Sequence, residues 1–381
     1  MSKQTVQSQW WKVANAEDLP TPTVLIYPDR VNQNLDRMIA WTDDPSRLRP
    51  HVKTHKLPQI IQMKRAKGIR KFKAATIAEV EMVAAAEGED ILLAVQQSGA
   101  NFLRLMKLIK LFPETRISMV VDDLNHLAWI REKAQEANGR IALFVDVNVG
   151  MNRSGVAAGR QAWQIIEQLL QWSNMPESCL EFGGIHAYDG HLHNPDTVAL
   201  AEAVEKAFQP VWELCQRVQG GGWPLPTVVV SGTPTSPIIA SQHRPNVEVS
   251  AGTTVFWDAG QSRTCPSMDF LNAAVLLMRV ISRPGKNLLC LDLGHKAVAS
   301  EFPQPRVRFL SIQDATAVIH SEEHLVLETS QADRYSIGSP IYGIPYHICP
   351  TVALHSHVWS VVNGSAVECW PVIARDRIIT V

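Results

Sequence analysis

This chain of 381 residues lacks an excess of charge of either sign. Its 36 Lys and Arg and 37 Asp and Glu leave a formal net charge of -1. No basic field is available to neutralise phosphates, which excludes nucleic acid and disfavours any polyanionic macromolecule as a partner. The six cysteines (Cys179, Cys215, Cys265, Cys290, Cys349 and Cys369) form no CxxC pair and no dense framework. A disulfide scaffold is therefore not expected, and a reducing compartment is. No run of about 18 apolar residues occurs, so no membrane span is expected. The opening MSKQTVQSQWWKVANAEDLP has no uninterrupted apolar stretch of the signal-peptide kind. Glycine-rich dinucleotide and Walker-type loops, internal repeats and low-complexity tracts are all missing. These absences lead to the expectation of a soluble cytoplasmic protein.

What is present is ordinary for a large core, with 46% hydrophobic and 19% charged residues. The length exceeds one average domain, so one large domain and a smaller one are expected. Short β-branched runs at Thr23–Tyr27, Ile91–Val95, Ile117–Val121, Ile141–Val147, Gly183–His186 and Thr227–Ser231 alternate with helical periodicity. That periodicity covers Val31–Trp41, Ala78–Ala86 behind an N-cap at Thr76, Phe102–Leu111, Ala162–Trp172 and Leu200–Val218. The alternation predicts parallel βα units. A doubly wound sheet competes, but without a glycine-rich loop a closed (β/α)8 barrel of the TIM type suits about eight units over roughly 230 residues better. After Phe256 strand-like runs dominate: Ala274–Ile281, Asn287–Leu291, Thr316–Ile319, Leu325–Leu327, Val358–Val362 and Ile378–Val381. They predict a C-terminal β domain, with the first twenty residues joining it as an extra strand.

The most informative stretch is Arg49-Pro50-His51-Val52-Lys53-Thr54-His55-Lys56. Read as a strand, it places His51, Lys53 and His55 on one face and Val52, Thr54 and Lys56 on the other. A desolvated lysine among cationic groups has a lowered pKa and becomes a better nucleophile toward a carbonyl. A solvated basic loop that binds an anion fits the same residues, and composition does not choose. Near the end, Pro345-Tyr346-His347-Ile348-Cys349-Pro350-Thr351 puts imidazole and thiolate two residues apart. In extended backbone both reach one ion, a pairing suited to zinc. An isolated HxC is more often a core cysteine beside a satisfied histidine.

RPHVKTHK closely resembles the cofactor-lysine motif of the D-threonine aldolase and D-serine dehydratase family, fold-type III pyridoxal-phosphate enzymes related to alanine racemase. The resemblance runs from about Thr21 to the C-terminus. It implies an alanine-racemase-like barrel over 21–255, a D-serine dehydratase-like β domain with a metal site over 256–381, and an N-terminal segment 1–20 packed on the latter. It implies that Lys53 holds pyridoxal 5'-phosphate as a Schiff base. His347 and Cys349 become the ligands of a divalent metal, zinc or manganese; the cysteine form looks more like the eukaryotic dehydratases, and an aspartate form like many bacterial aldolases.

Further motifs carry over residue by residue. Ser231, Gly232 and Thr233 resemble one phosphate-binding turn, and Gly252 and Thr253 a second, where Thr254 stands in place of the family's frequent tyrosine. Gly150–Gly155 resembles a turn whose arginine, Arg153, lies near the cofactor, and a rim salt bridge fits Arg153 as well. Tyr188 matches the family's Ala-Tyr-x-Gly turn. His51 joins Lys53, Arg153 and Tyr188 as a catalytic candidate, with His186, His191 and His193 as further proton-transfer candidates. His295, His355 and His357 are weaker, and structural roles suit them better. The implied substrate is a small β-hydroxy-D-amino acid, and the implied assembly is a homodimer paired head to tail. Retro-aldol cleavage is expected first, dehydration of D-serine second and racemisation third.

Overall fold

The computed structural model describes residues 9–381. The chain divides into two compact units. One comprises Leu35–Thr254 with Thr264–Met268 and Ile373–Val381; its counterpart takes the chain up to Asn34 with Val255–Arg263 and Asp269–Val372. The first strand, β1 (Thr23–Ile26), is buried throughout. The sequence placed it among the barrel strands, but it belongs to the β-rich unit.

The barrel unit is built from β2 (Lys71–Ala74), β3 (Asp90–Leu93), β4 (Arg116–Val121), β5 (Ile141–Asn148), β6 (Val156–Ala157), β7 (Leu180–Ala187), β8 (Val228–Val230) and β9 (Val247–Val249). The order is β2-β3-β4-β5-β7-β8-β9, with β6 attached to β5. Every pairing is parallel. Residues 48–51 close the ring, with Leu48 bridging to Val249 and His51 to Lys73, both parallel. Arg49 donates its N–H to the Val249 carbonyl at 2.9 Å, and Lys73 donates to the Pro50 carbonyl at 3.2 Å. Pro50 has no N–H to offer, and closure asks only for its carbonyl. Helices follow where the periodicity put them, among them Pro28–Thr42, Ile77–Ala85, Gly99–Leu111, Arg160–Ser173 and Thr197–Gly220. Thr76 caps its helix by accepting the Glu79 N–H at 3.1 Å, and Glu79 reaches back to the Ala75 N–H at 2.6 Å.

Because side chains alternate along a strand, every second residue shares one face. Three layers result. At the strands' N-terminal end, buried Arg49 binds Glu248 at 2.6 Å and grips Asp90 with two nitrogens at 2.7 and 3.0 Å. Lys71 also binds Glu248, and Arg116 bridges Asp90 to Glu181 at 3.3 and 2.8 Å. Leu92, Val120, Phe144 and Val229 form an apolar layer above. Two residues further along the same strands stand Ala94, Asp122, Asp146 and Ser231. The polar layer therefore lies at the C-terminal end, where βα loops build sites. Phe144 needs room: a Cβ on Gly183 would lie 2.5 Å from its ring, and one on Gly184, at φ +140°, would meet the Thr227 carbonyl at 2.1 Å.

The β-rich unit contains β10 (Ala274–Gly285), β11 (Leu288–Leu291), β12 (Val307–Phe309), β13 (Thr316–His320), β14 (Leu325–Glu328), β15 (Pro340–Pro345), β16 (His357–Val362) and β17 (Ser365–Pro371). Its order is β13-β14-β11-β10-β1-β16-β17, with β15 pairing β10 and β12. Asn363-Gly364 links β16 to β17 with positive φ at both residues, 49° and 76°, as a two-residue hairpin of opposite-handed turn requires. Val13, Ala16 and Leu19 pack into this unit's core beside Leu25, Val275 and Leu277. They lie around a 3-10 turn at Ala16–Asp18, not in the extra strand expected of the first twenty residues; residues 1–8 fall outside the described ones. Ile378–Val381 is no strand either. The chain there belongs to the barrel unit, and Arg104 donates to the Val381 and Arg377 carbonyls at 3.0 and 2.8 Å.

Arg49→Met removes the buried cation shared by Asp90 and Glu248 and leaves each only its more exposed partner, Arg116 or Lys71. It should cost the barrel about 3–5 kcal/mol in urea unfolding. Arg140→Met, at the exposed rim of the network and 3.6 Å from Glu181, should cost under about 1 kcal/mol.

Candidate functional site

Within the barrel unit a cavity of about 440 Å³ opens over the polar layer. It is lined by His51, Lys53, Lys73, Gln96, Asp122, Asp146, Arg153, His186 and Tyr188, among others. Lys53, Arg153, Tyr188 and His51 thus line one cavity. The amino groups of Lys53 and Lys73 and the guanidinium of Arg153 lie 6.0, 5.5 and 4.7 Å from the Tyr188 ring centre.

The local backbone differs from the strand that the motif suggested. Extended backbone ends at His51, and Val52–Thr54 forms a 3-10 turn capped by His51, whose Nδ1 accepts the Lys53 N–H at 3.3 Å. Alternation therefore fails after His51, and His55 does not share the face of Lys53. It is buried elsewhere, with Nδ1 accepting the Leu57 N–H at 3.1 Å and Nε2 3.1 Å from Lys64 Nζ. Burial holds Lys64 down to about 7. Lys56 turns away from the cavity to pair with buried Glu79.

Two histidines in the cavity are wired oppositely. His51 uses Nδ1 as an acceptor, which leaves the proton of a neutral ring on Nε2. His186 has Nδ1 2.7 Å from Asp146 Oδ1, and its buried Nε2 has no protein partner among the described residues. With Asp146 ionised, His186 Nδ1 donates and Nε2 is the acceptor. Burial, then the charges of Lys53 and Lys73, push His51 well below its ordinary range. Burial also pulls His186 down, against the opposite pull of Asp146. Burial raises Asp146, but His186 and the Ser154 hydroxyl outweigh it and hold the carboxyl below its usual value.

The two turns proposed for phosphate follow β8 and β9. Ser231 is buried at φ +79°, with its hydroxyl 2.9 Å from that of Ser236. Gly232 gives its N–H to Asp189, so its place in the turn is to hold that carboxylate. Burial raises the Asp189 carboxyl, the hydrogen bonds to Thr235 and Gly232 opposing it. A Cβ on Gly252 would lie 3.1 Å from both His51 Cβ and the His51 carbonyl and 3.2 Å from Thr54 Oγ1. Glycine lets this turn press closely against the Lys53 segment; a side chain would have to push it back by a few tenths of an ångström. Thr233 is buried and Thr253 half-buried beside them. Thr254 is buried, its hydroxyl 2.9 Å from Met38 Sδ.

His191 is half-buried, and a Cβ on Gly150 would meet its Nε2 at 2.7 Å; His193 is exposed. Lys73, Asp146 and Asp189 were not singled out from sequence. The KFKA stretch around Lys73 reads as charged, yet it is a strand, and one alternation step from Lys71 marks Lys73 as inward.

In the β-rich unit, His347 and Cys349 do meet, though not through extended backbone. His347 is the N-cap of the helix Ile348–Leu354, and Cys349 stands in its first turn. Buried Asp258 accepts the Ile348 N–H at 2.9 Å and so fixes this helix start. His347 Nδ1 is held by Glu301, which leaves Nε2 for an ion in the way carboxylates orient metal-binding histidines. Burial lowers His347, but Cys349 and Glu301 outweigh it and raise it to about 9. This donor set fits an open divalent site. Among the described residues no cluster of three or more His, Cys, Asp and Glu side chains is placed to hold a metal. His355 Nε2 donates to the Ala297 carbonyl at 2.8 Å in the interior, His357 is exposed, and His295 lies 6.1 Å from the His320 ring.

The family model for the alanine racemase N-terminal domain matches residues 26–258, more than half of the chain. A serine dehydratase domain model matches residues 273–361. D-threonine aldolase of Arthrobacter sp. is 26% identical over 365 residues, covering 93% of this chain and 92% of that protein. D-serine dehydratase of Dictyostelium discoideum is 24% identical over 380 residues, covering 91% and 94%. The crystal structure of D-threonine aldolase from Filomicrobium marinum superposes with a TM-score of 0.85 at 25% identity, covering 96% of this chain and 98% of that one. No helix among the described residues is long and apolar enough to cross a membrane.

Because burial depresses His186, its neutral form persists below pH 6.5, and catalysis that uses Nε2 as acceptor should lose rate only below that. Asp146→Asn removes the charge that opposes the depression. The acid limb of the pH–rate profile should move further down, and kcat should fall about 10²-fold or more. An unmoved limb with unchanged kcat would remove His186 from the reaction.

Proposed function

The chain belongs to the alanine racemase N-terminal domain family, and from that premise we propose that it is a pyridoxal-phosphate- and divalent-metal-dependent lyase that cleaves a β-hydroxy-D-amino acid, of D-threonine aldolase type. The observation that carries the reading is the Lys53 cavity, where two lysines and an arginine surround one tyrosine ring. The buried Nε2 of His186, unpartnered among the described residues, and the close approach of the 252–253 turn to the Lys53 segment fit a ring compound entering there. Pyridoxal phosphate, when bound, supplies an electron sink for charge left at Cα, and zinc or manganese supplies Lewis acidity toward a β-hydroxyl.

The residues then divide the work. Lys53 would hold the cofactor through its amine. Tyr188 backs the ring, and Arg153 brings positive charge to the rim. Ser231, Thr233 and Thr253 offer hydroxyls to a phosphate, while Gly232 and Gly252 shape their turns. His51 donates from Nε2, and His186 accepts a proton at Nε2, held in that tautomer by Asp146. His347 and Cys349 hold the metal, with Glu301 orienting the imidazole. Loss of a proton from the β-hydroxyl leads to Cα–Cβ cleavage; loss of the Cα proton leads to dehydration.

Cys349 supports the second reading, a D-serine dehydratase, by its resemblance to the cysteine form of the metal pair. Incubation with D-threonine and D-serine in parallel separates the two. Acetaldehyde with glycine is expected; pyruvate with ammonia from D-serine would make it a dehydratase, and no product from either sinks both. The purified protein should be yellow and Lys53→Ala colourless, and equal colour would overturn the assignment of Lys53. Cys349→Ala should lose bound metal by elemental analysis, and unchanged content would remove Cys349 as a ligand.

A further inference from the structure

The proposed function leaves one buried group of the cavity without a task. Lys73 is 2% exposed, lines the same cavity as Lys53, and hydrogen-bonds to the Ser250 hydroxyl. The cations of the ionic layer at the strands' N-terminal end are matched. Arg49 has Asp90 and Glu248, and Lys71, one step down the same strand, has Glu248. Lys73 has no carboxylate in ion-pair contact among the described residues. Lys64, equally buried, also lacks one among the described residues, but it lies against His55 outside the cavity, whereas Lys73 faces the space an anion would enter.

The groups facing Lys73 come from every side of the barrel. Lys53 and His51 belong to the closing segment, and Asp146 to β5. Arg153 stands on the loop after β5, His186 on β7, and Tyr188 and Asp189 just beyond β7. Burial and the charge of Lys53 hold the amine down to about 7, Asp189 and Asp146 pulling weakly the other way. Ser250 stands two residues before Gly252, at the foot of the second phosphate turn.

We propose that Lys73 is a second cofactor-touching residue, whose amino group meets the anionic cofactor from the cavity floor and takes up a proton as the anion enters. The inference rests on the pyridoxal-phosphate reading above. The proton comes from solvent and ends on Nζ; no bond to carbon forms. A nearby anion favours the charged form of an amine. Above pH 7, then, binding carries one proton with it, and affinity falls as pH rises until the raised pKa of the complex is passed.

The test uses the full-length apoprotein and 4'-deoxypyridoxine 5'-phosphate, which lacks the aldehyde and so cannot react with Lys53. Calorimetry at pH 8, in two buffers of different ionisation enthalpy, counts the protons taken up on binding. The parent should take up about one proton more than Lys73→Met. Lys73→Met should also bind at least about tenfold more weakly. Lys73→Arg, charged at every working pH, should keep affinity within a few-fold yet lose the uptake. Equal uptake by the parent and both variants, or undiminished affinity in Lys73→Met, would overturn the inference. Should Lys73→Met fail to fold by circular dichroism, the Arg variant decides on uptake alone. An analogue that does not bind the parent at all defeats the cofactor assignment itself, and this inference with it.

Discussion

Two backbone hydrogen bonds close the barrel, and the site depends on them. Arg49 N–H to Val249 and Lys73 N–H to Pro50 set four residues, 48–51, between β9 and β2. Once that register is fixed, Arg49 must fall in the ionic layer and His51 in the polar one, a single alternation step apart. The chain then leaves extended backbone at His51, and the 3-10 turn that follows delivers Lys53 to the cavity. A slip of one residue would send the guanidinium outward and strand Asp90 and Glu248. Ionic packing at one end thus enforces the position of the reactive lysine at the other.

Above the apolar layer the physics reverses. Below it, charges are paired; above it, cations outnumber their carboxylate contacts, and two neutral histidines present unlike nitrogens. His51 is turned into a donor by the N–H of the very residue it precedes by two, and His186 into an acceptor by Asp146. The same side-chain type supplies both halves of acid–base chemistry because the wiring, not the ring, differs. Burial keeps both neutral, so neither competes with the lysines for an incoming anion.

Much of this was legible in the sequence where a short pattern coincided with a local constraint. Thr76 announced its helix, and RPHVKTHK its lysine. Legibility failed where tertiary pairing overrode local pattern. Thr23–Ile26 looks like any barrel strand, but its partners, β10 and β16, are hundreds of residues away. Lys71–Ala74 and Val247–Val249 were not read as strands because their charged residues point inward to one another, and only the closed ring makes that pairing visible. His55 and Cys349 were placed by assuming extended backbone; a 3-10 turn and a helix start took over at those positions. Cys349 still found His347, since an N-cap and the first helical turn face the same way.

The glycine pair in β7 has a consequence for how this barrel can change. Phe144 occupies the volume that side chains at 183 and 184 would need, and the Thr227 carbonyl crowds 184 besides. Trimming Phe144 is a single substitution that opens space in the apolar layer. Filling that layer from β7 first requires the ring to go. Accessible routes through sequence space are thus ordered: a lineage, or a designed library, that starts from this chain can loosen the layer directly and repack it from β7 only afterwards.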